Sequence, residues 1–109
     1  MTQVKDNLIE KVTACQKACE QCFDACLQED DVKMMAECIR TDRDCADMCG
    51  MVLNFSHRQS PIFNDLIKAC IKACDICATE CEQHDHDHCK ECAKACRECE
   101  AACKDYLAV

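Results

Sequence analysis

The sequence has few of the residues that interrupt helices and few of those that fill an ordinary core. Its 109 residues include one Gly, one Pro, no Trp, three Phe and one Tyr. Disulfide-stapled secreted scaffolds are usually rich in loops, so this scarcity argues against that class. No stretch approaches the roughly 18 apolar residues of a membrane-spanning helix. Because no basic run precedes an apolar stretch at the N-terminus, we expect no secretory signal and a cytoplasmic protein without a membrane partner.

Positive charge is also scarce. Thirteen Lys and Arg stand against 21 Asp and Glu, which gives a formal net charge of -8. The basic residues are scattered along the chain, whereas nucleic-acid binding depends on clustered basic residues. We therefore expect no nucleic-acid partner and interpret the charged residues as a solvated outer face.

Cysteine is the residue in excess, with 16 copies. Leu, Ile, Val and Phe together number only 19, and with the net charge this composition alone would indicate disorder. Free cysteine, however, is among the most frequently buried residue types. What the cysteines do therefore decides both the fold and the function.

Three interruptions divide the chain into four helical segments. They are residues 29–31, residues 54–61 and residues 84–88. In the second, Ser60 before Pro61 predicts a helix N-cap followed by proline at the first helical position. In the third, the aspartates suit a helix start and its dipole. The segments between them are rich in Ala, Glu, Lys, Gln and Met, which are good helix formers.

The spacing of the cysteines supports helices rather than strands. Within each segment successive cysteines lie three or four residues apart, except that one member is missing between Cys38 and Cys45. This is the period of a helix seam, whereas a strand repeats every two residues. The pattern K-A-C-x2-C-x3-C begins at Lys17, Lys72 and Lys94. Short connections favour antiparallel neighbours. We predict an all-α, antiparallel up-down-up-down four-helix bundle with a cysteine-lined core, and a single domain over residues 1–109.

This topology predicts an order along the bundle axis. One end should be an apolar plug of seam residues: Leu8, Val12, Val52, Phe55, Phe63, Ile67, Tyr106 and Leu107. Cysteine layers should follow it: first Cys15, Cys49, Cys70 and Cys103; then Cys19, Cys45, Cys74 and Cys99; then Cys22, Cys77 and Cys96 with Thr41 or Asp42; and last Cys26, Cys38, Cys81 and Cys92. Cys89 should lie beyond the last layer, near Met34, Met35 and the histidines.

Three roles for the thiols can be compared. Cysteines four apart on a helix have Cβ atoms about 5–6 Å apart, too far for a disulfide, which needs about 3.5–4.5 Å. A core of plain thiols would pack thinly, because cysteine is smaller than leucine. Metal binding remains. Thiolates select soft ions such as Cu(I), and a linear S–metal–S unit spans up to about 4.6 Å, judged from a metal–sulfur bond of about 2.3 Å.

Charge balance favours Cu(I) over Zn²⁺. Roughly one Cu(I) per thiolate leaves a buried core near neutral, whereas each ZnS4 layer would retain a charge of about -2. A zinc or mixed-metal thiolate buffer nevertheless remains an alternative, as does a thiol redox sensor. We find no nucleophile–base constellation and no Gly-rich phosphate loop, so we do not expect an enzyme.

CxxxC pairs repeated on four predicted helices, from about Cys15 to Cys103, resemble the cytosolic members of the bacterial copper storage protein family. The resemblance implies a homotetramer that stores and detoxifies copper, with many Cu(I) ions along each bundle axis, and a loading end with ligands other than thiolate. We expect copper ions and a copper chaperone as partners.

His88 is predicted to be a metal ligand together with all sixteen cysteines. The further candidates are His84, Met34, Met35 and Asp42, while His57, at the apolar end, is interpreted as a solvated loop residue.

Overall fold

The computed structural model describes residues 2–109 as four long helices that enclose one elongated core. The helices are α1 (Thr2–Leu27), α2 (Ala36–Phe55), α3 (Phe63–Cys81) and α4 (Asp87–Leu107), and a short 3-10 helix (Val32–Met35) precedes α2. The molecule measures 45 × 18 × 17 Å. The predicted all-α four-helix bundle with a cysteine-lined core is therefore confirmed.

The helices pack as a ring in which each one contacts its neighbours in the chain. α1 packs against α2 and α4, and α3 packs against the same two helices. The sulfur contacts run in opposite directions along neighbouring helices: Cys15 meets Cys45, whereas Cys22 meets Cys38. The neighbours are therefore antiparallel. Among residues 2–109, none of the helices combines the length and the apolar character needed to cross a membrane.

Each helix buries one seam with alternating steps of three and four residues, and α2 shows that the seam is complete. Its buried residues include Cys38, Asp42, Cys45, Cys49 and Val52, which follow steps of 4, 3, 4 and 3. The position that the cysteine pattern left open is therefore filled by an aspartate. A carboxyl group lies where the other helices present a thiol.

Hydrocarbon side chains close one end of the bundle, and we call this cluster the apolar end. Its fully enclosed members are Leu8, Val12, Val52 and Ile67, each at most 1% exposed. Beside them the ring of Phe63 meets the ring of Tyr106 edge-on, with 5.6 Å between centroids. Burying an aliphatic side chain of this size contributes about 1.5–3 kcal/mol. The predicted plug is confirmed, and its stabilisation does not depend on a metal.

The start of α3 differs from the prediction. Ser60 is not the N-cap, because α3 begins at Phe63 after Ile62. The N–H of Phe63 instead donates to the Ser60 carbonyl, and the N–H of Ile62 donates to the Ser60 Oγ. Pro61 thus occupies the second position of a β-turn, where its fixed φ is equally favourable. The start of α4 agrees with the sequence, since Asp87 lies in its first turn.

Candidate metal site

All sixteen cysteines are free thiols whose residues are 0% exposed. Their sulfur atoms meet between neighbouring helices, as in Cys38–Cys81 with 3.6 Å between Sγ atoms. They also meet across the bundle axis, as in Cys15–Cys74 with 3.9 Å between Sγ atoms. Cysteines one turn apart converge as well, with 3.8 Å between the Sγ atoms of Cys22 and Cys26. The sulfurs therefore form a continuous column rather than separate pairs.

The column can be described as overlapping groups of four ligands. Within each group the ligand atoms lie within 4.8 Å of one another. Five such groups are Cys15, Cys49, Cys74 and Cys99; Cys15, Cys19, Cys45 and Cys96; Cys19, Cys77, Cys92 and Cys96; Cys22, Asp42, Cys81 and Cys92; and Cys22, Cys26, Cys38 and Cys89. Several cysteines belong to two groups, so metal ions in neighbouring groups would share a bridging sulfur.

These groups correct the predicted layers. The register within the α1–α2 hairpin is as predicted, since Cys15 lies with Cys49. The two hairpins, however, are offset by one seam position, because Cys15 lies with Cys74 and Cys99 instead of with Cys70 and Cys103. Each hairpin register follows from its own short connection, whereas the offset between hairpins depends on how they dock.

Asp42 is surrounded by thiols. Its Oδ1 accepts hydrogen bonds from Cys77 and Cys92, each at 3.3 Å, and from Cys81 at 3.6 Å. The residue is 0% exposed. Burial, together with the charges of Cys92 and Cys77, raises the pKa of Asp42 well above its usual range. A neutral carboxylic acid is therefore the favoured form in the metal-free protein, because an unpaired buried charge is costly.

The end of the column opposite the apolar end carries a histidine, and we call it the thiol end: Cys22, Cys26, Cys38, Cys89 and His88. His88 Nδ1 lies 3.4 Å from the Cys22 Sγ and 3.5 Å from the Cys89 Sγ. The Cys22 and Cys89 sulfurs are 4.0 Å apart. The three atoms form a nearly equilateral triangle of one nitrogen and two sulfurs.

This triangle has the dimensions of a three-coordinate soft-metal site. With metal–nitrogen and metal–sulfur bonds of about 2.0 and 2.3 Å, ligands 120° apart would be separated by about 3.7 Å for N–S and about 4.0 Å for S–S. The observed separations match within a few tenths of an ångström. The predicted ligand His88 is therefore brought into contact with the thiols.

The thiols of this end differ in acidity. Hydrogen bonds with Cys38 and Cys81 lower the pKa of Cys22 to about 5, and the bond with His88 acts in the same direction. Burial raises the pKa of Cys26 and Cys89. Burial alone would lower the pKa of His88, but its bonds to Cys22 and Glu29 raise the pKa above its ordinary value. Within the thiol end, Cys22 is thus the thiol with the lowest pKa, and the thiolate is the form that binds metal.

The other non-thiolate candidates are placed differently. His84 Nε2 binds the Glu80 carboxylate at 2.8 Å rather than a thiol. Met35 is buried at the start of α2, whereas Met34 is 68% exposed. Met34 and His84 line an open pocket of about 430 Å³ outside the column. His57 is exposed in the loop after α2, as the sequence indicated.

One residue of the site was missed from the sequence. The Glu29 carboxylate accepts from His88 Nε2 at 2.7 Å, although the two residues are 59 positions apart. The available signal was topological: an up-down-up-down bundle brings the α1–α2 and α3–α4 connections to the same end. An acidic loop and a histidine-rich loop therefore had to meet there.

Comparison with known proteins relates the whole chain to one family. The profile of the family described as copper storage protein matches residues 1–108. The chain is also 42% identical over 95 residues to an uncharacterized cysteine-rich protein of Bacillus subtilis, YhjQ, and the match covers 87% of this chain and 88% of that protein.

Two copper-loaded structures are similar in both sequence and fold. The cytosolic copper storage protein of Streptomyces lividans, in a form with five coppers, has 39% identity and a TM-score of 0.94, over 98% of this chain and 94% of that chain. The Cu(I)-bound copper storage protein BsCsp3 has 40% identity and a TM-score of 0.89, over 94% of this chain and 96% of that chain.

Proposed function

Since this chain belongs to the copper storage protein family, we propose that it stores many Cu(I) ions, roughly one per cysteine, as charge neutrality of a buried core requires. The observation that carries the proposal is the continuous column of sixteen buried, reduced thiols. Thiolate is the ligand class that selects Cu(I). The family stores metal rather than catalysing a reaction, which agrees with the expectation from the sequence that the protein is not an enzyme.

The overlap of the four-ligand groups favours Cu(I) over zinc. Cys15, Cys19 and Cys22 each belong to two groups, so isolated ZnS4 sites could not fill all of the groups at once. Each isolated ZnS4 site would also retain a charge of about -2 in the core. Bridging Cu(I) ions use every sulfur twice and leave the column near neutral.

We propose that all sixteen cysteines and His88 are the metal ligands. The contacts between sulfur atoms support the cysteines, and the triangle of His88 Nδ1 with the sulfurs of Cys22 and Cys89 supports the histidine. This triangle also supports loading through the thiol end, because the hydrocarbon of the apolar end offers no ligand. The loading step at this end would use the Cys22 thiolate.

We propose a homotetramer with a cytoplasmic location and a chaperone as copper donor, each bundle being a single storage domain over residues 1–109. An exposed apolar patch supports self-association: Ile76 is 50% exposed and lines a shallow groove between α2 and α3 with Ala69 and Ala73. The cytosolic Streptomyces lividans protein supports the location.

Anaerobic titration of the reduced protein with Cu(I), in competition with a chromophoric Cu(I) chelator, tests the storage function. We expect uptake to continue to about sixteen ions per chain, one per thiolate. Uptake that ended at two or three ions would overturn the proposal. In a parallel titration, about four Zn²⁺ per chain that resisted a Cu(I) challenge would establish the zinc buffer instead.

Two histidine variants test the loading end. His88→Ala should weaken the first Cu(I) equivalent, because it removes the nitrogen of the triangle, while the total number of ions stays nearly unchanged. His57→Ala, at the apolar end, is the matched control and should behave as the unaltered protein. Equal effects of the two substitutions would refute the assignment of His88.

A further inference from the structure

Glu29 links the two connections at the thiol end. It follows α1 directly, and its Oε2 lies 2.7 Å from the Nε2 of His88 in the first turn of α4. The same oxygen lies 3.5 Å from the Nδ1 of His86. The rings of His86 and His88 are stacked, with 5.3 Å between centroids and 4° between planes. The Glu29 carboxylate thus binds the His88 imidazole and lies close to the His86 imidazole that stacks on it.

The bond to Glu29 fixes where His88 carries its hydrogen. A carboxylate accepts but does not donate, so the Nε2 of His88 must be the donor. A neutral ring then has its lone pair on Nδ1, the atom that faces the sulfurs of Cys22 and Cys89. In a protonated ring, Nδ1 is likewise the nitrogen that loses its proton, because Nε2–H is held by Glu29. In both the neutral and the protonated ring, Nδ1 is therefore the nitrogen that becomes free to bind the metal.

The orientation of the ring follows from the same bond. The Glu29 and His88 side chains are 27% and 21% exposed, respectively, so without a partner on Nε2 the ring would be free to turn toward solvent. Outer partners of this kind fix both the tautomer and the orientation of metal-binding histidines. Asp30, the next residue, is exposed and forms no hydrogen bond with His88. Asp30 therefore allows the effect of a nearby negative charge to be separated from the effect of a carboxylate that contacts His88.

We propose that Glu29 is a positioning residue for metal loading: by accepting from Nε2 it presents the Nδ1 lone pair of His88 to an incoming Cu(I) between Cys22 and Cys89. This inference rests on the proposed function of His88 as a ligand. Loss of comparable outer partners typically lowers metal affinity about 10- to 100-fold. We expect Glu29→Ala to weaken the first Cu(I) equivalent by that factor and to leave the total number of ions unchanged.

The test compares four variants of the full chain in the reduced state. Glu29→Ala removes the acceptor, and Glu29→Gln retains an acceptor oxygen without the charge. Asp30→Ala is the matched control for the loss of one negative charge at the same loop, and His88→Ala removes the ligand itself. Competition with a chromophoric chelator measures the affinity of the first Cu(I). Long-range ¹H–¹⁵N correlation spectra of the metal-free protein, at a pH where the ring is neutral, report the tautomer of His88.

A positioning role predicts a specific pattern. Glu29→Ala should weaken the first Cu(I) and move the His88 hydrogen partly from Nε2 to Nδ1, whereas Glu29→Gln should restore most of both. Asp30→Ala should change neither. If Glu29→Ala and Asp30→Ala weaken binding equally while the tautomer is retained, the effect is general electrostatics and the proposal is overturned.

The failure of this inference can be told from failure of the proposed function. If His88→Ala weakens the first Cu(I) but Glu29→Ala does not, His88 is a ligand and Glu29 does not position it. If His88→Ala has no effect either, both the ligand assignment and the positioning role are wrong. The storage function is decided separately, by the total number of ions bound per chain.

Discussion

The two ends of the bundle are built from the same seam positions with opposite chemistry. At the apolar end the seam carries aliphatic residues such as Leu8, Val12 and Ile67, all 0% exposed. At the thiol end it carries Cys22, Cys38 and Cys89, which are equally buried. Both sets fit the helix period, so one continuous seam runs from the apolar end to the thiol end. The difference lies in what stabilises each end before any metal arrives.

Burial of hydrocarbon side chains stabilises the fold without metal, whereas burial of the thiols stabilises it little until they bind a metal. Burial of apolar area stabilises the apolar end in every state of the protein. The thiol end contains small side chains, contacts the buried carboxyl group of Asp42 through Cys38, and has contacts between thiols that are weak hydrogen bonds. We therefore expect the metal-free bundle to be held mainly by its apolar end, and the copper-loaded bundle by its whole length.

The largest effect should come from a cavity at the apolar end. Ile67→Ala removes a fully buried side chain and should lower the free energy of unfolding of the metal-free protein by about 2–5 kcal/mol. Urea unfolding followed by far-UV circular dichroism measures the loss. Because no ligand is removed, the number of Cu(I) ions bound at saturation should stay the same. A fall in that number would break the distinction between the two ends.

A pH effect should follow from Asp42. Its raised pKa means that the folded state holds the proton more tightly than the unfolded chain, whose aspartates ionise near pH 3.9. Above that pH the unfolded state is favoured progressively. Stability of the metal-free protein should therefore fall as pH rises, by at most about 1.4 kcal/mol per pH unit from this group.

Asp42→Asn isolates this contribution, because the amide retains the shape but does not titrate. Between pH 5 and pH 7, the free energy of unfolding of the unaltered protein, measured with urea, should fall relative to that of the variant. Parallel pH profiles for the two proteins would mean that the buried carboxyl group ionises without cost. That result would remove Asp42 as a reason for the weakness of the thiol end.

The smallest effect on folding should come from a thiol of the thiol end. Cys89→Ala deletes one buried sulfur and should cost the metal-free protein only about 1 kcal/mol. It also removes one corner of the triangle with Cys22 and His88, so the first Cu(I) should bind more weakly and the total should fall by about one ion. A loss of stability as large as that of Ile67→Ala would show that the thiol end also supports the metal-free fold.

Apart from the start of α3, local features of the fold followed directly from the sequence, and features that depend on docking did not. Seams of alternating three- and four-residue steps fixed the helices and the apolar end, and short connections fixed the register within each hairpin. The predicted offset between the two hairpins was wrong by one seam position, because the offset depends on contacts between hairpins, such as Cys15 with Cys96 and Cys45 with Cys74, which no local pattern encodes.

The site shows the same division. The sixteen cysteines were identifiable as candidate ligands because their spacing is distinctive, and His88 became a candidate through the family resemblance. Asp42 was noted as a gap in the cysteine pattern, but the structure places its carboxyl group among four thiols. Glu29 was not identified, since a glutamate in an acidic loop has no local signature. Its partner His88 lies 59 residues away.

The apolar end has one more consequence, for the order in which bound ions are reached from outside. Because hydrocarbon side chains close one end of the cysteine column, ions enter and leave through the thiol end. Ions bound farthest from the thiol end, beside Cys70 and Cys103, are screened from outside reagents by the ions bound nearer to it. A copper acceptor therefore reaches the ions at the thiol end before those beside the apolar end.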